Sequence, residues 1–428
     1  MRVLSTKGRK AEEVYALLGR LTSRTDASYE RAMPVARRIV ESVRKGGDAA
    51  LLRHRTKLDG IPASEPIEIT FEEMEAAWRE TSTELRSAMK LAMNNIRRFA
   101  ERQRPREFDM NVAPGVTVGQ KVIPLDAVGC YVPSGRYPLP STMLMTVIPA
   151  QVAGVGRIVA VSPRPAKETL AAAYLCGVTA FYRIGGAQAV AALAYGTESI
   201  AKVDKIVGPG NAYVTAAKKL VSFDCGIDML AGPTEIVVTS EAGDPEGIAT
   251  DLIAQAEHDP DSVAILLTSR SDLARAVAAA VSRSGKANSI ARKSLAKNGA
   301  VIVTKTANEA REVTNRLAPE HLTIDSAEDL TWVRNAGSVF VGPWSSQPLG
   351  DYVSGPNHTL PTSGLARLRG GLSVMDYLKL VTVQEYTAAG VNRLGPAAVA
   401  LAEAEGLTGH AQAVLERLNK AGGRREYA

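Results

Sequence analysis

Apolar and polar positions follow two rhythms along this chain. Through residue 105 the apolar residues recur at helical spacing among many charges, in AEEVYALLGRL, ARRIVESVRKGGDAALLRHRTKL and LRSAMKLAMNNIRRFAERQ, and Pro105 closes the region. That pattern predicts amphipathic helices with one buried face. Strand-like runs follow at 112–119 and 121–131. From residue 157 short apolar, β-branched runs lead into helical stretches: RIVAVSP into KETLAAAYLCG, TAFYRIGG into AQAVAALAYG, KIVGPG into NAYVTAAKKLVS. At 234 the alternation restarts with TEIVVTS, SVAILLTS, AVIVTKT and HLTIDS, each followed by a helical stretch, and SVFVGP comes last. Strands apolar along their length belong to sheets covered on both faces, and strand–helix alternation marks parallel βαβ units. Two such series in succession predict an α/β protein with two Rossmann-like, doubly wound domains in tandem. The expected division is an N-terminal mostly helical region over 1–110, a first α/β domain over 111–233, a second over 234–364, and a C-terminal helical tail over 365–428. The stretch PLGDYVSGPNHTLPTSG (348–364) reads as the linker into that tail.

Composition narrows the classes. A chain of 428 residues has room for two or more domains, and 45% apolar with 22% charged residues is ordinary for a globular protein. A net charge of +6 spread over the length, with only 5% aromatics, leaves no nucleic-acid footprint. Cys130, Cys176 and Cys225 are odd in number and lack CxxC spacing, which argues for a reducing compartment and against a disulfide framework or a thiolate zinc site. The N-terminal stretch has no apolar core of signal-peptide length. The longest apolar region, 146–161, is broken by Pro149, Gly154, Gly156 and Arg157 and is no membrane span. The expectation is a soluble, cytoplasmic protein without membrane or nucleic-acid partners.

Candidate chemistry concentrates late in the chain. Of five histidines, all but His54 lie in the second half, in polar settings: AEHDPD, PEH, GPNHTLPT and EGLTGH. Gln255 and His258, at i and i+3, share one face of a helix, over the turn where Pro260 ends it. The pair is either half of a metal site or the polar end of a solvated helix, and spacing does not choose. Glu320 and His321 stand where a helix through Leu317 gives way to the strand HLTID. A carboxylate beside an imidazole offers two proton acceptors of different basicity, and a surface loop pair is the plainer alternative. Function in open α/β sheets gathers outside the carboxyl ends of strands, so a strand's start is an unexpected place for it. No GxGxxG follows a strand. The glycine turns at Gly185-Gly186 and at Gly208-Pro209-Gly210 either cradle an anion or simply make tight connections. His54, between two arginines, reads as a solvated helix position, and His358 lies in a Gly/Pro-rich loop where functional residues often sit.

A series of motifs in fixed order then carries a resemblance: VGCYVPSGRYPLPSTMLM, IPAQVAGV, RIGGAQAVAALAYGT, KIVGPGNAYVTAAK, GIDMLAGPTE, DLIAQAEHD, APEHL, GDYVSGPNHTLPT and EGLTGHA. From roughly residue 30 to residue 420 the chain resembles the histidinol dehydrogenase family. The resemblance implies a zinc- and NAD-dependent enzyme of histidine biosynthesis, with one Zn2+ per subunit. Such an enzyme oxidises L-histidinol to L-histidine through L-histidinal, in two hydride transfers. Carried over by position, it implies Gln255, His258, Asp351 and His410 as zinc ligands and Glu320 and His321 as the catalytic pair. Tyr131, Gln188 and Asn211 would contact NAD on the first α/β domain. Thr234, Gln255, His258, His321, Asp351, Glu405 and His410 would contact substrate. A homodimer with shared sites is implied too, Glu405 and His410 of the tail serving the other subunit.

Two positions depart from the family. Thr234 stands where serine is common, keeping a hydroxyl and adding a methyl, and Ser134 stands where glycine is usual. The implied mechanism has a neutral His321 take the alcohol proton as hydride leaves for NAD, Glu320 activate water at the aldehyde stage, and zinc mainly orient the substrate. The nearest rival is a paralogous zinc/NAD dehydrogenase of another primary alcohol, such as a sulfopropanediol, differing in the pocket. A zinc hydrolase built on the same side chains predicts activity without nicotinamide. A binding protein that kept the fold predicts zinc without turnover.

Overall fold

The computed structural model describes residues 1–8, 11–22, 27–134, 137–284 and 289–422. Its core is two parallel sheets with one winding. In the first, strands Ala180–Tyr182, Arg157–Val161, Ala127–Tyr131, Lys205–Val207 and Gly226–Ile227 lie side by side in that order, all parallel. Counted along the chain this is the order 3-2-1-4-5 of a doubly wound sheet. The second sheet repeats it: Ala300–Val303, Val263–Thr268, Glu235–Thr239, His321–Ile324 and Ser338–Val341 form the same 3-2-1-4-5 winding. The chain is therefore α/β, with the two windings expected from the alternation of strand and helix.

Both sheets are buried because their strands carry apolar residues on both faces; every residue of Ala127–Tyr131 and of Val263–Thr268 is buried. Each fully buried Val, Leu or Ile contributes about 1.5–3 kcal/mol. Packing is tight enough to need glycine at the centre of the first sheet, where a Cβ on Gly129 would lie 2.8 Å from Leu193 of the Gly186–Tyr195 helix.

The division at 1–110 is not what forms. Helix Ala27–His54 lays Ala32, Ala36, Ile39, Val40 and Val43 against the helices Gly186–Tyr195 and Ala212–Val221, so it is a covering layer of the first sheet. Arg2–Ser5 is a strand paired in parallel with Ala300–Val303, and helix Ala11–Thr22 buries Val14, Leu17 and Leu18 in the core of the second sheet. The helical periodicity is real, but which sheet each apolar face covers depends on partners far along the chain.

The strand-like runs after Pro105 also take a different place. Strands Phe108–Ala113 and Val116–Pro124 join Leu378–Tyr386 in an antiparallel sheet, so the expected helical tail contains a nine-residue strand. With the helices Ala388–Ala404 and Thr408–Ala421 these strands belong to a second compact unit, formed by Arg104–Pro124 and the chain from Leu378 onward. Met1–Gln103 and Leu125–Tyr377 make up the other unit. Among the described residues no helix is long and apolar enough to cross a membrane. All three cysteines are buried.

Candidate active site

The central strands of the second sheet begin at the site. Glu235 opens Glu235–Thr239, His321 opens the neighbouring His321–Ile324, and the register sets His321 opposite Ile236. The residues just ahead of the two strands, Thr234 and Glu320, are thereby brought side by side. Glu320 is 6% and His321 3% exposed, so the surface-loop alternative for this pair fails.

Hydrogen bonds run outward from the carboxylate. Glu320 Oε2 accepts from the Thr234 hydroxyl at 2.5 Å and from the Glu235 backbone N–H at 2.8 Å. Gln255 Nε2 donates to Thr234 Oγ1 at 2.5 Å, and Gln347 Nε2 donates to Gln255 Oε1 at 2.5 Å. An ionised carboxylate only accepts, so Thr234 must donate to it, and the Thr234 oxygen then receives an amide N–H. That sequence turns the Gln255 amide oxygen away from Thr234. The relay needs a hydroxyl at position 234, which threonine supplies as serine would.

His321 is held at both nitrogens. Nδ1 lies 3.3 Å from the Glu235 carbonyl oxygen, Nε2 lies 3.3 Å from Asp351 Oδ1, and the ring packs on Phe340. Burial alone would favour the neutral imidazole, but Glu320 and Asp351 outweigh it and push the pKa up to about 9. These two carboxylates therefore favour the protonated imidazole. Burial likewise raises Glu320, while Asp351 is held low because the hydrogen bond from His321 overcomes its burial. A cavity of about 340 Å³ opens beside His321, lined also by Phe340, Trp344, Asp351, Asn357 and His358.

The expected metal half-site is arranged differently from a shared helix face. Helix Pro245–Ala256, capped by Asp244, ends before His258; Gln255 in its last turn is fully buried and His258 is exposed. Pro260 disfavours helical backbone in the residue before it, and the chain has already left the helix at Glu257. His258 still lies close enough for its charge to act on Asp351 and His358. In kind, an amide oxygen, an imidazole and a carboxylate suit zinc or another borderline divalent ion. The Gln255 oxygen, oriented by the relay, keeps a second lone pair for such an ion. Among the described residues no three His, Cys, Asp or Glu side chains gather into a metal cluster. Glu405 and His410 belong to the second unit, where both are exposed and line an apolar groove with Leu401, Leu407 and Val414.

His358 spends both nitrogens on its surroundings, Nδ1 at 2.8 Å from the Asp351 carbonyl and Nε2 at 3.3 Å from Thr142 Oγ1, and burial lowers its pKa. It braces the end of the short helix Gln347–Tyr352, which carries Asp351. Glu235 was missed by sequence reasoning. Its carboxyl is buried, accepts the Ser363 N–H at 2.7 Å, and is pushed up to about 8 by burial and by Glu320. The available signal was a charge in an otherwise apolar strand.

On the first sheet, Tyr131 ends strand Ala127–Tyr131, Gln188 lies in the first turn of Gly186–Tyr195, and Asn211 caps Ala212–Val221. All three line one cavity of about 630 Å³, at the carboxyl ends of neighbouring strands where the winding reverses. Three N–H groups of the glycine turns are already engaged. Gly185 donates to Asp59 at 3.1 Å, Gly186 to the Tyr131 hydroxyl at 2.9 Å, and Gly208 to Asp228 at 2.7 Å. At Gly185-Gly186 these bonds fit the plainer reading, a tight connection. Gln188, which lines the cavity, keeps an Oε1 that is buried and without a partner among the described residues, an acceptor suited to a nucleotide's hydroxyl or amino group. Ser134 also lines the cavity; its backbone is not left-handed, so serine costs no strain there.

Residues 22–418 match the family described as histidinol dehydrogenase. The chain is 45% identical over 402 residues to the histidinol dehydrogenase of Aquifex aeolicus, covering 92% of this chain and 93% of that one. To the enzyme of that name from Geobacillus kaustophilus it is 47% identical over 395 residues, covering 89% and 93%. The crystal structure of histidinol dehydrogenase from Elizabethkingia anophelis superposes with a TM-score of 0.91 at 34% identity, over 99% of both chains.

Proposed function

This chain belongs to the histidinol dehydrogenase family, an NAD-dependent dehydrogenase family, and on that premise we propose that it oxidises L-histidinol to L-histidine through L-histidinal with zinc and NAD. The observation that carries the reading is the buried Glu320–His321 pair, tied through Thr234 to Gln255 and through His321 to Asp351 at the wall of a cavity. The reading places the reaction at the last steps of histidine biosynthesis, in the cytoplasm.

Each side chain then has a task. Once Asp351 holds zinc, its carboxylate would no longer take the Nε2 hydrogen or raise His321, and the neutral tautomer, with its hydrogen on Nδ1 toward the Glu235 carbonyl, would leave Nε2 to take the alcohol proton. Glu320, fixed by two donors on one oxygen, takes a proton from water at the aldehyde stage. Gln255, His258 and Asp351, with His410 of the partner subunit, would hold zinc, whose charge anchors the substrate. Thr234 and the partner subunit's Glu405 complete the substrate contacts, and Tyr131, Gln188 and Asn211 take NAD. A second copy is supported by the apolar surface of the smaller unit, where Phe108, Met110, Val112, Leu380, Val383 and Leu401 are all exposed.

The test is NADH formation by zinc-loaded protein. L-Histidinol should give it, a sulfonated propanediol should not, and a chelator should abolish it. His321→Ala should keep its zinc and lose about 10²–10⁴-fold in rate. Turnover of the propanediol in place of histidinol would overturn the substrate, and turnover without NAD would overturn the class.

A further inference from the structure

Asp59 enters the dinucleotide cavity from an unusual piece of backbone. It is the last residue of a π-helical turn, Arg55–Asp59, closed by Gly60 in the left-handed region at φ 65°. Such turns are rare, and the wider spacing of their hydrogen bonds re-aims the side chains that follow. This one is anchored by Arg55, fully buried, which donates to the carbonyls of Pro62 at 2.9 Å and Glu65 at 2.6 Å. The anchored turn delivers the Asp59 carboxylate to the start of the Gly186–Tyr195 helix. There it accepts the Gly185 N–H at 3.1 Å and Gln188 Nε2 at 3.1 and 3.2 Å from its two oxygens.

A carboxylate has no hydrogen to give, so it decides which end of the Gln188 amide faces it. The nitrogen must, and the oxygen is left pointing elsewhere. That oxygen is buried in a residue only 1% exposed and has no partner among the described residues. An unmet buried acceptor is costly and persists where a ligand meets it. The chain also keeps the space over it clear: a Cβ on Gly186 would stand 2.8 Å from Gln188 Oε1, and Gly186 has φ 61°.

We infer that Asp59 is a positioning residue of the cofactor cavity, locking the Gln188 amide so that its oxygen receives a hydroxyl or amino hydrogen of the bound dinucleotide. The inference rests on the reading of this cavity as the NAD site and adds to it the residue that sets its polarity. A phosphate carries only acceptors here and gains nothing from that oxygen, and the Asp59 charge repels it further.

The decisive comparison is NAD affinity, measured by calorimetric titration of the zinc-loaded full chain, beside the KM values for NAD and histidinol. Asp59→Asn keeps an acceptor for the Gly185 N–H but frees Gln188 to turn, and should weaken NAD binding about tenfold. The KM for NAD should rise with it while that for histidinol does not. The double variant Asp59→Asn, Gln188→Glu restores the pattern. The amide introduced at position 59 now donates to the carboxylate introduced at position 188, and a carboxylate oxygen again faces the ligand. It should recover affinity to within about threefold of the unaltered protein. Unchanged affinity in Asp59→Asn overturns the inference, as does a double variant no better than the single one, or an equal rise in both KM values. Gln188→Ala separates the two levels. If it binds NAD as the unaltered protein does, the cavity is not the cofactor site; if it weakens binding and Asp59→Asn does not, the site stands and only the positioning role falls.

Discussion

Glu235 and Asp59 show how much of a site depends on single carboxyl groups that no motif marks. Glu235 releases its proton near 4.5 in the ordinary case but near 8 in the folded chain. Between those values the folded state binds the extra proton, so this group lowers stability as pH rises. Glu235→Gln removes the effect and keeps an oxygen for the Ser363 N–H. Its Tm should therefore decline less than that of the unaltered protein between about pH 5 and about pH 8. Thermal denaturation across that window measures it, and parallel declines would show that the folded chain does not hold the proton. Glu320, His321 and Asp351 were legible because the motifs around them carry a resemblance. Asp59 was not, since its partner Gly185 lies 126 positions away and only the fold joins them.

At the scale of elements, periodicity identified both windings because a buried parallel strand is apolar on two faces and its crossover helix follows at once. It failed where a strand's partner is remote. Nothing local in 108–124 says that these residues pair with 378–386, nor that residues 2–5 pair with 300–303. The helix limit at Ala256 was misjudged for a local reason, Pro260 acting through the turn before it rather than at itself. Gly129 tests the packing between strand and helix. Gly129→Ala sets a methyl 2.8 Å from Leu193 and should cost about 1–3 kcal/mol through overpacking, read as a lower denaturation midpoint. Because the displaced helix begins with Gly186 and Gln188, NAD affinity should fall too. An unshifted midpoint would mean that the helix yields without strain.

For the whole molecule, the proposed assembly makes a prediction that no single chain can fulfil. His258→Ala and His410→Ala proteins should each lack bound zinc and activity. Refolded together, they should regain zinc and turnover at one site of each mixed dimer, since one site would then receive both unaltered ligands. Metal analysis and NADH formation in the mixture check this, and a mixture as inactive as its parents would rule out shared sites. The two parallel sheets, for their part, are closed to assembly along their rims. The first ends in strands of three and two residues, Ala180–Tyr182 and Gly226–Ile227, and the second in strands of four, Arg2–Ser5 and Ser338–Val341. So short a rim gives a foreign strand too few backbone groups to grip, and aggregation by strand addition finds no template there. Arg2–Ser5, lying along Ala300–Val303, is in that sense a guard against self-association as well as a part of the sheet.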